Sequence, residues 1–164
     1  IMKTFQDRVD NFFKWVKGTE LVELTNIDVT EDPVRPNLDL EWRTSWSRKI
    51  YGLKYEEDIE AIVCVAFTNE IPKTEKELEL MSENAHIKKH ATVAVAYTVW
   101  SRKRGAGREI INKLLEFIKD KGYKQLVTLS PLTPMATHFH IKNGAKLISI
   151  NATTQNFEYQ WSVH

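Results

Sequence analysis

The sequence predicts a mixed α/β (α+β) domain built on a single, mostly antiparallel sheet of about six or seven strands with flanking helices. Three observations carry that prediction. The run ATVAVAYTVW, Ala91 to Trp100, is dense in β-branched and aromatic residues, as a central strand is. Ile110, Ile111, Leu114, Leu115 and Ile118 follow at helical spacing. Apolar strand-like runs and helical patterns then alternate to the end of the chain, which favours helices layered on one sheet.

Taken in order, Phe5, Val9, Phe12, Phe13 and Val16 recur at helical spacing ahead of Gly18, so residues 3–17 read as an amphipathic helix. Between Glu20 and Asn37, Pro33 and Pro36 allow a short strand or helix and then a loop. LDLEWRTSW alternates apolar and polar residues as a half-buried strand does, and KIYGLKYEEDIEAIVCVAFTN reads as two strands about an acidic turn. KTEKELELMSEN follows Pro72 as a surface helix. The Ala91–Trp100 strand leads through a glycine turn into a helix that runs to about Lys121, where Gly122 stops it. KQLVTLS is a strand, PMATHFHIKNG a short helix opened by proline and closed by glycine, and AKLISINA and FEYQWSVH are closing strands.

With 164 residues, 42% hydrophobic and 27% charged, the chain has globular composition, and one domain over residues 2–164 is expected. No apolar run reaches the roughly 20 residues of a membrane span, and the acids in IMKTFQDRVDNFFKWV are unlike a secretory signal, so a cytoplasmic protein off the membrane is predicted. Cys64, the one cysteine, lies in an apolar run and reads as buried filler. The net charge of +1 hides an asymmetry: residues 19–85 carry 16 acids and 7 bases, residues 86–164 carry 4 acids and 12 bases. Either the faces are simply solvated, or an anion is held by the C-terminal half and a cation approached by the N-terminal half.

The basic turn between strand and helix is the sharpest feature. Arg102, Lys103, Arg104 and Arg108 bracket Gly105 and Gly107 where helix amides lack partners and the helix dipole is positive. Such a turn suits a multiply charged phosphate ligand, the glycines admitting it close to the backbone. The alternatives are a turn that needs glycine for itself or a nucleic-acid patch. The spacing lacks the G-x-x-x-x-G-K-[ST] of a nucleoside-triphosphate loop and the third glycine of a dinucleotide fingerprint.

Arg102-Lys103-Arg104-Gly105-Ala106-Gly107, set between that strand and that helix, resembles the R-x-x-G-x-G pyrophosphate loop of the GNAT acyl-CoA N-acyltransferase superfamily. The resemblance implies a GNAT-like fold and an acyl-CoA co-substrate, acetyl-CoA or coenzyme A, with no metal. It places Tyr97, Thr98 and Val99 against pantetheine, and Arg104, Gly105, Ala106, Gly107 and Arg108 against the pyrophosphate. ATHFHIKNGA keeps the spacing of a second family segment but has His140 where its general-acid tyrosine stands. Imidazole, with an ordinary pKa of about 6.5, can give or take a proton near neutrality. Residues 128–151, with TLSP, FHIKNGA and an Ile-Asn pair, also resemble the catalytic segment of malonyl-CoA decarboxylases, which implies Ser130 and His140 as a catalytic pair.

Read this way, the chain is a GNAT-type N-acyltransferase moving an acetyl or other short acyl group to an amine acceptor. A backbone amide near Val99 or Trp100 would meet the acyl oxygen, His140 would move a proton near sulfur, and Ser130 would orient water or substrate. The alternatives are a malonyl-CoA decarboxylase-like enzyme, a non-catalytic acyl-CoA binder, and a nucleic-acid module. The near-neutral charge and the lack of interleaved aromatics argue against the last. A histidine held by a helix neighbour and a serine helix cap are the competing readings of His140 and Ser130. His138 and His140 point to different faces, so they make no metal pair; His86 and His90 read as surface residues at the start of a strand. The acidic turn of Glu56, Glu57, Asp58 and Glu60 is either solvated or draws a cationic acceptor. Trp42, Trp46 and Trp100 read as core or pocket wall. Many members of the superfamily are dimers, so a homodimer is compatible with the resemblance.

Overall fold

The computed structural model describes residues 18–161 together with Phe5 and Arg8. Phe5 and Arg8 are helical and exposed; the rest of the helix expected over 3–17, and the last residues of the FEYQWSVH strand, lie outside the described residues. Along the chain, β1 (Glu20–Leu24) passes through a 3-10 turn (Val29–Glu31) to the short helix α1 (Leu40–Thr44). The hairpin of β2 (Lys49–Tyr55) and β3 (Asp58–Thr68) follows, then α2 (Glu75–Lys88), β4 (Val93–Ser101) and α3 (Ala106–Asp120). The chain continues through β5 (Gln125–Thr128), β6 (Ser130–Pro131), α4 (Pro134–Lys142), β7 (Lys146–Ile150) and β8 (Thr154–Tyr159).

The strands form one eight-stranded sheet in the order β1-β2-β3-β4-β5-β8-β6, with β7 also on β8. Among these pairings only β4 with β5 is parallel, so the sheet is mixed and mostly antiparallel, as expected. The eight strands exceed the expected six or seven because Glu20–Leu24 is a strand and a two-residue β6 follows β5 at the end of KQLVTLS, while LDLEWRTSW contributes none.

Period-two alternation in β3 builds two cores. Ala61, Val63, Val65 and Phe67 face α3, whereas Ile62, Cys64 and Ala66 face the side covered by α1 and α2. Ile110, Ile111, Leu114 and Ile118 of α3 are all fully buried, each contributing up to about 1.5–3 kcal/mol from removal of its side chain from water. The Cys64 thiol is buried as expected, and burial pushes its pKa up to about 11, so it stays protonated.

Capping sets the helix starts. Thr74 Oγ1 accepts from Glu77 N at 3.0 Å, and Glu77 in turn accepts from Lys73 N at 2.9 Å. Thr133 Oγ1 accepts from Ala136 N at 3.2 Å, with Pro134 at the first turn of α4. Ser130 is therefore no cap.

Two local expectations are corrected. LDLEWRTSW is helical rather than extended, because the Asp39 carboxylate caps α1 at Trp42 N, 2.8 Å away. Its apparent alternation misled because Arg43, a polar position in that pattern, is buried in an ion pair with Asp32 at 2.8 Å. His86 sits in the last turn of α2 rather than at the start of a strand.

Candidate active site

The sheet opens at Ala96. β4 and β5 pair from Val93–Gln125 to Ala96–Thr128, and Leu129 N still donates to the Ala96 carbonyl at 3.2 Å. Beyond that point the chain of β5 passes into β6, which belongs to β8 through Ser130–Gln155, while β4 continues alongside β3 alone to Ser101. A bulge accompanies the parting: Thr98 pairs with Cys64 and Ala96 with Val65, leaving Tyr97 as the extra residue. The wedge between the strands is a cleft of about 230 Å³. Residues 96–101 form one wall, Gly107 and Ile111 of α3 close one end, and Pro33 and Val34 reach in from the opposite face of the sheet. Ser130 and His140 both line it, so the structure brings the two sequence-predicted catalytic residues to one space.

The glycine turn lies at the α3 end of this cleft. Gly105 adopts φ +82°, the left-handed conformation that glycine tolerates best, as the residue before the helix. Ala106 N donates to the Lys103 carbonyl and Glu109 N to that of Gly105, so the amides of Gly107 and Arg108 have no backbone acceptor among the described residues. Gly107 has a packing reason of its own: a Cβ there would meet the Phe139 ring at 3.1 Å. Lys103, Arg104 and Arg108 are exposed and make no ion pair among the described residues. Arg102 differs, since its guanidinium is held by Glu31 at 2.5 Å and its pKa is raised mainly by that hydrogen bond.

Residues that the sequence did not single out hold the β4 wall in place. Arg35 donates to the Tyr97 carbonyl, so that carbonyl is already engaged. Asp32, buried, accepts from Thr98 Oγ1 at 2.9 Å and from the amides of Val34 and Arg35, and pairs with Arg43. Of the three residues expected to meet pantetheine, Tyr97 thus turns its ring into the core against Trp42 and Thr98 turns its hydroxyl to Asp32. Both residues nonetheless line the cleft, and Val99 lines it too, half-buried. The only sequence sign of this support was the proline-flanked acid in TEDPVRP.

His140 is 9% exposed, packed edge-on to Phe139 and tilted against Phe157. Its Nδ1 lies 2.8 Å from the Tyr159 hydroxyl. Burial pushes its pKa down to about 4, so at neutral pH the imidazole is uncharged. That corrects the expectation of a histidine titrating near 6.5. Burial likewise raises the pKa of Tyr159, which stays a phenol. Ser130 is buried with its Oγ 2.8 Å from Thr128 Oγ1, and no hydrogen bond joins it to His140.

The remaining candidates lie elsewhere. Glu56, Glu57, Asp58 and Glu60 do not line the cleft, and Trp46 is an exposed side chain rather than core. Trp100 is pocket wall and Trp42 packs beside it on the α1 face. His138 is exposed on the other side of α4, and His86 bonds Ser47. Among the described residues no group of three or more His, Cys, Asp or Glu is placed to hold a metal, and no helix is long and apolar enough to cross a membrane.

No protein-family model matches the chain. No curated protein matches its sequence. Solved structures do match its fold. Malonyl-CoA decarboxylase from Agrobacterium vitis superposes with a TM-score of 0.74 at 18% identity, over 96% of this chain and 64% of that one. An acetyltransferase from Bacillus subtilis in complex with CoA gives 0.54 at 11% identity, over 85% of this chain and 93% of that one. A GNAT family acetyltransferase from Elizabethkingia anophelis with acetyl-CoA bound gives 0.51 at 13%, over 85% and 94%. The chain thus spans less than two thirds of the decarboxylase and most of each acetyltransferase. At these identities the likeness establishes the fold: a GNAT-like mixed α/β sheet with flanking helices.

Proposed function

We propose that the chain binds an acyl-CoA in the cleft between β4 and β5 and transfers a short acyl group, acetyl in the simplest case, to an amine acceptor. The observation that carries this reading is the parting of β4 from β5 at Ala96, beside the N-terminus of α3. The residues present fit such a ligand. Among the described residues the β4 edge beyond Ala96 has no strand partner on the β5 side, and it suits the amides of a pantetheine arm. The unpartnered amides of Gly107 and Arg108, with Arg104 and Arg108 exposed beside them, suit a pyrophosphate. CoA-bound structures share the fold, which agrees with this assignment.

In transfer to an amine, a C–N bond forms at the thioester carbonyl, the C–S bond breaks, the nitrogen loses a proton and the sulfur gains one. Among the described residues the cleft lining carries no carboxylate to hold an ammonium ion, and the acceptor attacks as the neutral amine. With Nδ1 occupied by Tyr159, His140 offers Nε2 to the departing sulfur. Where Nδ1 accepts from the Tyr159 hydroxyl, the neutral imidazole carries its proton on Nε2 and donates there; with the proton on Nδ1, Nε2 can only accept, and in neither case does an imidazolium take part.

A second reading is favoured by the same lining. Among the described residues it holds neither carboxylate nor cation, and such an apolar space disfavours the localised charge of a malonyl carboxylate relative to the dispersed charge of an enolate forming as CO2 leaves. Ser130 and His140 would then face the enolate, which takes up a proton to give acetyl-CoA. Mass spectrometry separates the two. Acylated amines from acetyl-CoA and an amine panel support transfer, whereas acetyl-CoA from malonyl-CoA without any amine supports decarboxylation. Neither product, with active controls, would remove both.

A further inference from the structure

The Thr128 hydroxyl is fully buried at the point where β5 ends, and it has two hydrogen-bonding neighbours: Phe157 N at 3.1 Å and Ser130 Oγ at 2.8 Å. An amide can only donate, so Phe157 N–H occupies a lone pair of Thr128 Oγ1. The Thr128 proton needs an acceptor, and Ser130 Oγ is the one within reach among the described residues. Were Ser130 to donate instead, the Thr128 proton would be unpaired in the interior, a costly arrangement. Thr128 therefore donates, Ser130 accepts, and the Ser130 proton turns away from Thr128. Among the described residues Ser130 Oγ has no other hydrogen-bond partner, and the space it lines is the cleft.

The frame behind this pair is rigid. The Thr128 carbonyl accepts from Asn156 Nδ2 at 2.8 Å, the same nitrogen reaches the Pro72 carbonyl at 2.9 Å, and Asn156 Oδ1 accepts from Asn151 at 3.0 Å. Thr128 and Asn156 are each 0% exposed. The Phe157 amide, which would otherwise look for a carbonyl across the ladder, is satisfied by the Thr128 side chain; the β5–β8 pairing in register stops one residue earlier, at Val127–Glu158.

We propose that Thr128 is a positioning residue that turns the Ser130 hydroxyl outward, so that Ser130 meets the acyl group as a hydrogen-bond donor to an oxygen and not as a nucleophile. A nucleophilic serine needs a base to take its proton, and no hydrogen bond connects Ser130 to His140. As an outward donor, Ser130 suits a thioester oxygen that gains negative charge. The nature of that oxygen rests on the acyl-CoA reading; the direction of the Thr128–Ser130 hydrogen bond rests on geometry alone.

A neutron structure of the unaltered, deuterated chain tests the direction. A deuteron on Thr128 Oγ1 aimed at Ser130, with that of Ser130 aimed into the cleft, is expected; a Ser130 deuteron aimed at Thr128 overturns the inference. Kinetics test the role. Thr128→Val should lower kcat about tenfold, the scale of one hydrogen bond aimed at a transition state, with KM for the acyl-CoA little changed, and Thr128→Ser should restore turnover. In a Ser130→Ala background Thr128→Val should have no further effect on kcat; an undiminished effect there would show that Thr128 does not act through Ser130. An unaltered chain that turns over no acyl-CoA strikes the functional reading, and the neutron result then decides the inference by itself.

Discussion

The His140 imidazole meets the Tyr159 hydroxyl at 2.8 Å through Nδ1, enclosed by Phe139 and Phe157. Burial in this enclosure makes the histidine a neutral group, and the consequence for pH is definite. The folded pKa of about 4 lies below the ordinary 6.5, so the unfolded chain binds the proton first. Stability from this group is complete above about pH 6.5, falls as pH drops towards 4, and levels off below that. The window corresponds to at most about 3 kcal/mol. Urea unfolding at pH 7.5 and 4.5 should show a steeper loss for the unaltered chain than for His140→Gln. Equal losses would contradict a buried neutral imidazole.

The cations of the turn should separate by their partners. Arg102 is committed to Glu31, whereas Arg104 and Arg108 are exposed without an ion pair among the described residues. Arg104→Ala with Arg108→Ala should weaken CoA binding several-fold, with the loss shrinking as salt rises. Arg102→Ala should change affinity little. Calorimetric titration at two salt concentrations reads both, and equal effects of the two changes would contradict the division of roles.

Gly105 and Gly107 should respond differently to alanine. At Gly105 the backbone is left-handed and nothing lies within 4 Å of a new Cβ, so Gly105→Ala should cost about 1 kcal/mol through conformation. At Gly107 the Cβ presses on Phe139. Gly107→Ala should therefore be partly rescued by Phe139→Leu, whereas Gly105→Ala should not. Thermal melts of the single and double variants check this.

Asp32 should prove a support of the cleft wall. Both side chains of the Asp32–Arg43 pair are fully buried, and Asp32 also serves Thr98 and two amides. Removing the carboxylate as Asp32→Ala leaves Arg43 buried without its counter-charge, at a cost of about 3–5 kcal/mol. Denaturant unfolding measures it, and a loss under 1 kcal/mol would mean the pair is not the support described.

Much of this was legible in residue pattern, and the failures share a cause. The β4–turn–α3 unit was readable because β-branched density, glycines and a 3.6-residue period all occur within one continuous stretch. A local motif pointed to Ser130 and His140, which share one cleft, but it gave no sign of their state. The burial that shifts His140 comes from Phe157 and Tyr159 on β8, and the partner that orients Ser130 is itself held by the Phe157 amide. Asp32 and Arg35 were invisible for the same reason: their meaning lies in contacts to Thr98 and Tyr97, more than 60 residues away in sequence. LDLEWRTSW was misread as a strand because alternation alone does not distinguish a strand from a short helix capped by Asp39.

The central claim is that the cleft between β4 and β5 receives an acyl-CoA, and thermal unfolding of the chain with added CoA tests it most directly. At ligand a hundredfold above Kd, binding to the folded state contributes about 2.7 kcal/mol, so Tm should rise by several degrees. Gly107→Glu, which puts bulk and negative charge at the turn, should abolish the rise while Arg102→Ala keeps it. No rise for the unaltered chain at saturating CoA, or an undiminished rise in Gly107→Glu, would contradict the account.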